Sequence, residues 1–184
     1  GVTLVGVILA DQMLNFPDFR ARERTFQLLT QVAGRAGRGS RPGEVVIQTY
    51  SPEDATIQAV ANHSYQEFFN KEIQLRRLLD YPPFSHIIRI LVLGSDEELC
   101  EAGSKEIGSQ INCCRKGLDI SLFGPAPAPL TKINNIYRWQ LILKGLNLKK
   151  MRQLVSVSLR EVARQGRLPR GIRVSLDIDP LGML

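Results

Sequence analysis

The sequence predicts a mixed α/β chain in two parts, and three observations predict it. Short runs rich in β-branched residues alternate with longer stretches of helical apolar spacing. The breaker Tyr81-Pro82-Pro83 stops the first series, and a second series restarts at Phe84. At 184 residues, 43% hydrophobic and 23% charged, the chain can bury one large or two small cores, and the composition argues against wholesale disorder.

In the first part, residues 1–60, Val2–Leu9 reads as a strand apolar on both faces, as a central parallel strand would be. A loop holding Asn15 and Pro17 leads to a helix from about Arg20 to Gly34, with Phe26, Leu29 and Val32 at helical spacing. Gly39-Ser40-Arg41-Pro42-Gly43 is a turn by composition, and Glu44–Thr49 alternates into a second strand. Ser51-Pro52-Glu53-Asp54 offers an N-cap, a proline for the first helical position and two early acids, so a helix should begin there. Ser64-x-x-Glu67 is a capping box for a helix to about Leu79. Residues 61–83 then read as a connector whose Tyr65, Phe68, Phe69, Leu75 and Leu79 serve packing.

In the second part, residues 84–184, Ile87–Leu93 reads as a strand, and Ser95-x-x-Glu98 should cap a helix to about Cys114. A strand near Asp119–Phe123 leads to Gly124-Pro125-Ala126-Pro127-Ala128-Pro129, which is expected to be a loop. Tyr137–Leu143 follows as a strand, then a helix from about Asn147 to Arg164 and a strand at Ile172–Ile178. The order β-α-β-β-α-β suggests a ferredoxin-like α/β sandwich, with both helices on one face of an antiparallel sheet.

The net charge of +6 is unevenly spread. Residues 1–60 balance to zero, residues 61–114 carry −3, and residues 115–184 carry +9. The last third would attract a polyanion or an acidic peptide, although solubility alone also explains such an excess. Cys100, Cys113 and Cys114 lack ligand spacing to one another or to His63 and His86, so no metal site is expected here. The apolar run Val2 to Ala10 is too short to span a bilayer and lacks the basic flank of a signal peptide, so a cytoplasmic protein is expected.

The most informative residues are Gln31-Val32-Ala33-Gly34-Arg35-Ala36-Gly37-Arg38. If they continue a helix, Gln31, Arg35 and Arg38 fall at about 0°, 40° and −20°, one narrow stripe. Gly34 and Gly37 flank it without Cβ atoms, so a phosphate or another backbone can come close. Paired guanidiniums suit phosphate oxygens because their planar forks stay charged and bind bidentately. The string resembles motif VI of superfamily 2 helicases, where the arginines reach the γ-phosphate of ATP as arginine fingers.

Upstream, Leu14-Asn15-Phe16-Pro17-Asp18-Phe19-Arg20-Ala21 and Glu23-Arg24-Thr25-Phe26-Gln27-Leu28-Leu29-Thr30 run into the motif without a gap. With Gly43–Thr49, Tyr81-Pro82-Pro83-Phe84 and Asp177-Ile178-Asp179-Pro180, they resemble the primosomal protein N′ family (PriA), the bacterial replication-restart helicases. The likeness extends along essentially the whole chain. It implies that the first part ends a RecA-like helicase lobe, with Arg35 and Arg38 catalytic and Gln31, Gly34 and Gly37 sensing ATP. It implies 3′–5′ DNA unwinding driven by ATP and Mg²⁺ in a larger parent, with the family's zinc bound upstream of this stretch. No G-x-x-x-x-G-K-[ST] loop and no D-E-x-H box occurs, so the chain alone should be inactive, a C-terminal fragment.

In the basic last third, Lys132, Tyr137, Arg138 and Lys144 are candidates for DNA contact, cations for phosphates and Tyr137 for stacking on a base. The resemblance implies single-stranded and forked DNA and other primosome proteins as partners. It also implies the acidic, Phe-ending tail of single-stranded DNA-binding protein, for which Lys149, Lys150 and Arg152 are candidates beside Leu148 and Met151. Two other readings stay open: a standalone nucleic-acid-binding module without ATPase role, and a different nucleotide enzyme using a Gly-Arg-rich helix end. No nucleophile triad or paired-carboxylate signature occurs.

Overall fold

The computed structural model describes residues 3–36 and 43–183, and shows a mixed α/β chain with two sheets. Two compact units meet between Leu79 and Asp80.

Unit 1 runs β1 (Leu4–Val7), α1 (Asp11–Leu14), α2 (Ala21–Ala33), β2 (Glu44–Ile47), α3 (Ala55–Ala61) and α4 (Tyr65–Leu78). β1 and β2 pair in parallel, Leu4 opposite Glu44 and Val7 opposite Ile47. Their inner residues Val7 and Ile47 pack on a core of Phe26, Leu29, Ile57, Val60 and Phe68. The Phe26 and Phe68 rings stack with centroids 4.4 Å apart, which fixes α4 against α2. Leu4 is 61% and Val46 51% exposed, so β1 is not buried on both faces as its composition predicts. The reason is geometric: the strand pair is packed from one side only.

Two local expectations shift. Asp54, not Ser51, caps α3, its side chain accepting from the Thr56 backbone N–H. Pro52 lies instead in a turn closed by a 3.0 Å bond from Asp54 N to Ser51 O. The unforeseen helix α1 begins at Asp11, whose carboxylate accepts from the Thr49 hydroxyl and the Tyr50 N–H at 2.9 and 3.0 Å. The Tyr50 bond above all holds the Asp11 carboxyl below its usual range.

Unit 2 runs β3 (His86–Gly94), α5 (Glu97–Cys114), β4 (Ile120–Ile133), β5 (Ile136–Gly145), α6 (Leu148–Arg164) and β6 (Ile172–Ile178). The sheet order is β4-β5-β3-β6, each neighbouring pair antiparallel. Ile88, Ile90, Val92, Leu141 and Leu143 of the sheet meet Ile107 and Ile111 of α5 and Met151, Leu154 and Val155 of α6 in one core. Both helices therefore lie on the same face of the sheet, the face on which alternate residues of β3 and β5 point inward.

The proline run is not a loop. Gly124–Pro129 lies within β4, paired with β5 through Ala126 opposite Gln140 and Pro127 opposite Trp139. β4 is an edge strand, where a missing N–H need not break a ladder. Pro125, Pro127 and Pro129 are two residues apart, so they share one side of an extended chain, and two register irregularities interrupt the pairing around them. The β4–β5 hairpin turns at Asn134-Asn135, both in the left-handed region (φ 50° and 62°), as a tight two-residue turn requires. The α5 cap is Asp96 accepting from Leu99 N, one residue beyond the expected Ser95.

At the end of the chain the Asp177-Ile178-Asp179-Pro180 string clamps β6 to β3. Asp177 pairs with the buried Arg89 at 3.1 Å. The Asp179 carboxylate accepts from the Ile87 N–H at 3.0 Å and contacts His86 Nδ1 at 2.8 Å.

Candidate functional site

The residues leading into the Gly-Arg string form a polar scaffold around α2. Asp18, with a fully buried side chain, accepts from Arg20 N at 2.9 Å and pairs with Arg24 at 3.0 Å. Arg20 grips Glu23 through both Nε and Nη2, at 3.0 and 2.6 Å. The other face of the Glu23 carboxylate meets Arg76 of α4 at 2.9 Å, and Arg76 continues to Glu72 at 2.7 Å. Arg20 first, with Arg76 adding to it, holds the Glu23 carboxyl below its ordinary value against the opposing effect of burial. Arg22 reaches across to Asp54 at 2.8 Å. Burial raises the Asp54 carboxyl, but the Thr56 N–H and Arg22 outweigh it and the net direction is downward.

This scaffold delivers the end of α2. The α-helical bonds stop at the cap residue Gly34, whose N–H donates to Thr30 O at 3.0 Å. Arg35 N then bonds to Val32 O and Ala36 N to Ala33 O, the i→i+3 pattern of a tighter turn. The angular stripe computed for a continuous α-helix therefore does not extend past Gly34. Gln31 and Arg35 are both exposed. Gly34 has an ordinary φ of −68°, and an added Cβ would meet only Thr30 O at 3.5 Å and Gln31 O at 3.8 Å. Its own backbone does not require glycine. Gly37 and Arg38 lie outside the described residues.

A cleft of about 390 Å³ that sequence reasoning missed opens beside the scaffold, lined by Arg22, Asp54, Phe68, Lys71, Glu72 and Leu75 among others. Its charged walls come from three different helices. Only the dense Arg/Glu alternation of residues 20–24 hinted at a tertiary ion network.

In unit 2 the structure splits the predicted DNA-contact set between two faces. Lys132 and Tyr137 are register partners; Lys132 Nζ donates to the Tyr137 hydroxyl at 3.1 Å and sits 4.3 Å from its ring centroid. Tyr137 and Trp139 pack against the core, on the helix side. Arg138 and Lys144 alternate with them and point to the opposite face. There Lys144 Nζ lies 5.3 Å from the Tyr81 ring centroid and 5.6 Å from that of Phe123. Phe123 is 51% exposed, the aromatic on this face most available for stacking. It went unnoticed because its neighbours Gly124 and Pro125 read as a loop.

Lys149, Lys150 and Arg152 are exposed at the beginning of α6. Asn147 caps that helix by accepting from Lys150 N at 3.0 Å, and the first turn holds no acid. Cations there oppose the positive end of the helix dipole, so the region attracts anions. Met151 is fully buried in the core and cannot line a pocket; the exposed apolar neighbour is Leu146, 67% exposed.

Among the described residues no group of three or more His, Cys, Asp and Glu is placed to hold a metal ion, and no helix is long and apolar enough to cross a membrane.

A family profile described as "Primosomal protein N C-terminal domain" matches residues 77–181. The chain is 41% identical to the Replication restart protein PriA of Synechocystis sp. over 99% of its own length. It is 38% identical to that of Bacillus subtilis over 100% of the chain, and 36% identical to that of Haemophilus influenzae over 97%. It spans only 21%, 22% and 24% of those three relatives, in their C-terminal part. On these grounds the chain belongs to the replication restart protein PriA family.

Proposed function

We propose that this chain supplies the C-terminal portion of an ATP-dependent 3′–5′ DNA helicase acting in primosome assembly and replication restart, in the cytoplasm. The observation that carries the reading is the placement of α2. It lies in sequence between two strands that pair in parallel and ends with Gln31 and Arg35 exposed beside a glycine its own backbone does not need. That arrangement fits the end of a RecA-like lobe over residues 1–60, whose further strands would cover Leu4 and Val46. Residues 61–83 then serve as connector, and residues 84–184, with sheet order β4-β5-β3-β6, as a ferredoxin-like sandwich that contacts DNA and partners.

In this reading Arg35 and Arg38 present permanently charged forks to the outer phosphate of a nucleotide held on another lobe. They act when negative charge develops in the transition state. Gln31 senses the nucleotide, and Gly34 and Gly37 leave room for it. ATP with Mg²⁺ supplies the phosphoryl chemistry; nothing in this chain fits a phosphate cradle, so its residues fit the finger role alone. On unit 2, Arg138 and Lys144 with Phe123 and Tyr81 form one surface for single-stranded or forked DNA, and Lys132 with Tyr137 a second. Lys149, Lys150 and Arg152 beside Leu146 suit the acidic tail of single-stranded DNA-binding protein.

The isolated chain tests the reading directly. With forked DNA and ATP it should show background turnover only, while binding a labelled oligonucleotide with an affinity that falls steeply with salt. Clear ATP turnover in a contaminant-free preparation would overturn it, and salt-independent DNA binding would remove unit 2 from it.

A further inference from the structure

The two edges of the unit 2 sheet differ in kind. β4 is interrupted by three prolines and two register irregularities, devices that prevent further strand pairing. β6, the other edge, has neither: Ile172-Arg173-Val174-Ser175-Leu176-Asp177-Ile178 pairs in regular register with β3. Leu176 is 46% and Ile178 41% exposed. Arg173 and Ser175 are exposed as well. An apolar, proline-free edge of this length is a template for another strand.

The outward groups of β6 can be identified. Asp179 N donates to Ile87 O at 2.8 Å, one step beyond the pair Ile88 and Ile178. Antiparallel bonding alternates, so Arg173, Ser175 and Asp177 direct their backbone groups toward β3, while Ile172, Val174, Leu176 and Ile178 direct theirs to the free edge.

The sequence of β6 is complementary to its own reverse. With a two-fold axis at Ser175, Ile172 faces Ile178, Arg173 faces Asp177, and Val174 faces Leu176. The bonding phase agrees with this register: the pairs of even-numbered residues are those whose outward N–H and C=O groups would bond. The Arg173–Asp177 pairs fall at the closer, non-bonded positions, where opposite charges interact best. The half-exposed Leu176 and Ile178 would be covered by Val174 and Ile172 of the second copy.

We propose that β6 is a homodimerisation edge, two copies of this chain joining into one continuous eight-stranded sheet through antiparallel β6–β6 pairing centred on Ser175. The proposal is independent of the helicase reading, since it rests on the edge alone.

Sedimentation across a wide concentration range should show reversible dimerisation of the full chain. Leu176→Pro removes an outward N–H and no bond to β3, so it should weaken the dimer at least about tenfold with an unchanged circular dichroism spectrum. Arg173→Asp, which sets like charges opposite each other, should weaken it too. A cross-link fixes the register. In a Cys113→Ser background, Ser175→Cys should give a disulfide-linked dimer on mild oxidation, because the two copies meet at a non-bonded pair with Cα atoms about 4.5 Å apart. Arg173→Cys, whose two copies would lie about 13 Å apart, should not. A chain that stays monomeric at every concentration, or equal cross-linking of both cysteine variants, would overturn the proposal.

Discussion

Glu23 and Arg76 meet at 2.9 Å although 53 residues separate them in sequence. The pair ties the start of α2 to the last turns of α4, and Arg20 and Glu72 complete it on either side. Arg76 also lies 5.7 Å from the Phe19 ring centroid, which fastens the turn before α2 to the same guanidinium. The end of α2, with Gln31 and Arg35, is therefore oriented by an ion network as well as by the Phe26–Phe68 stack.

Glu23→Ala should destabilise unit 1 by about 1–3 kcal/mol, because it leaves two largely covered guanidiniums without their shared carboxylate. Amide hydrogen exchange in α2 and α4 should accelerate while β3 and β5 stay protected. Uniform acceleration in both units would contradict the local role given to Glu23.

Acid should act on unit 1 in a definite direction. The Glu23 and Asp54 carboxyls are held below their unfolded values, so their contribution is fully present above about pH 4–5 and is lost as pH falls through the lower folded values. Fluorescence of Trp139, the single tryptophan, follows unit 2, while exchange in α2 follows unit 1. Unit 1 should open first on acidification.

Much of this architecture was legible from periodicity and capping residues, because those are local. The Ser64 cap, the Ile87–Leu93 strand and the apolar face of α6 depend on residues within a few positions of each other. The β4 prolines misled because their meaning depends on strand order: a proline run excludes a central strand but is tolerated at an edge. The division of Lys132 and Tyr137 from Arg138 and Lys144 follows from strand alternation and was readable in principle. The Arg22–Asp54 and Glu23–Arg76 pairs were not, since they join residues that only the tertiary fold brings together.

Cysteine reactivity should separate sharply. Burial first, then the carboxylates of Asp96 and Glu97, pushes the Cys100 thiol up, and its sulfur is enclosed by the unit 2 core. Cys113 is exposed. Under native conditions an alkylating reagent should modify Cys113 rapidly and Cys100 only on unfolding, as peptide mass mapping would show.

DNA and an acidic peptide should respond differently to charge reversal. Lys149→Glu with Arg152→Glu should abolish binding of a tail peptide of single-stranded DNA-binding protein while only weakening oligonucleotide binding, because the peptide depends on a local site and DNA on the summed field. Lys144→Ala should lower the salt slope of oligonucleotide binding by about one, and Phe123→Ala should weaken binding with the slope unchanged. Unchanged peptide affinity in the charge-reversed protein would move the tail site elsewhere.

The most direct test of the central claim is DNA-stimulated ATP hydrolysis by the full-length parent carrying Arg35→Ala or Arg38→Ala. The account predicts a fall in kcat of about 10³-fold or more for the arginine that is the true finger, with ATP affinity far less changed, since the charge it meets develops mainly in the transition state. Near-normal kcat in both variants would contradict it and leave these arginines with a structural role.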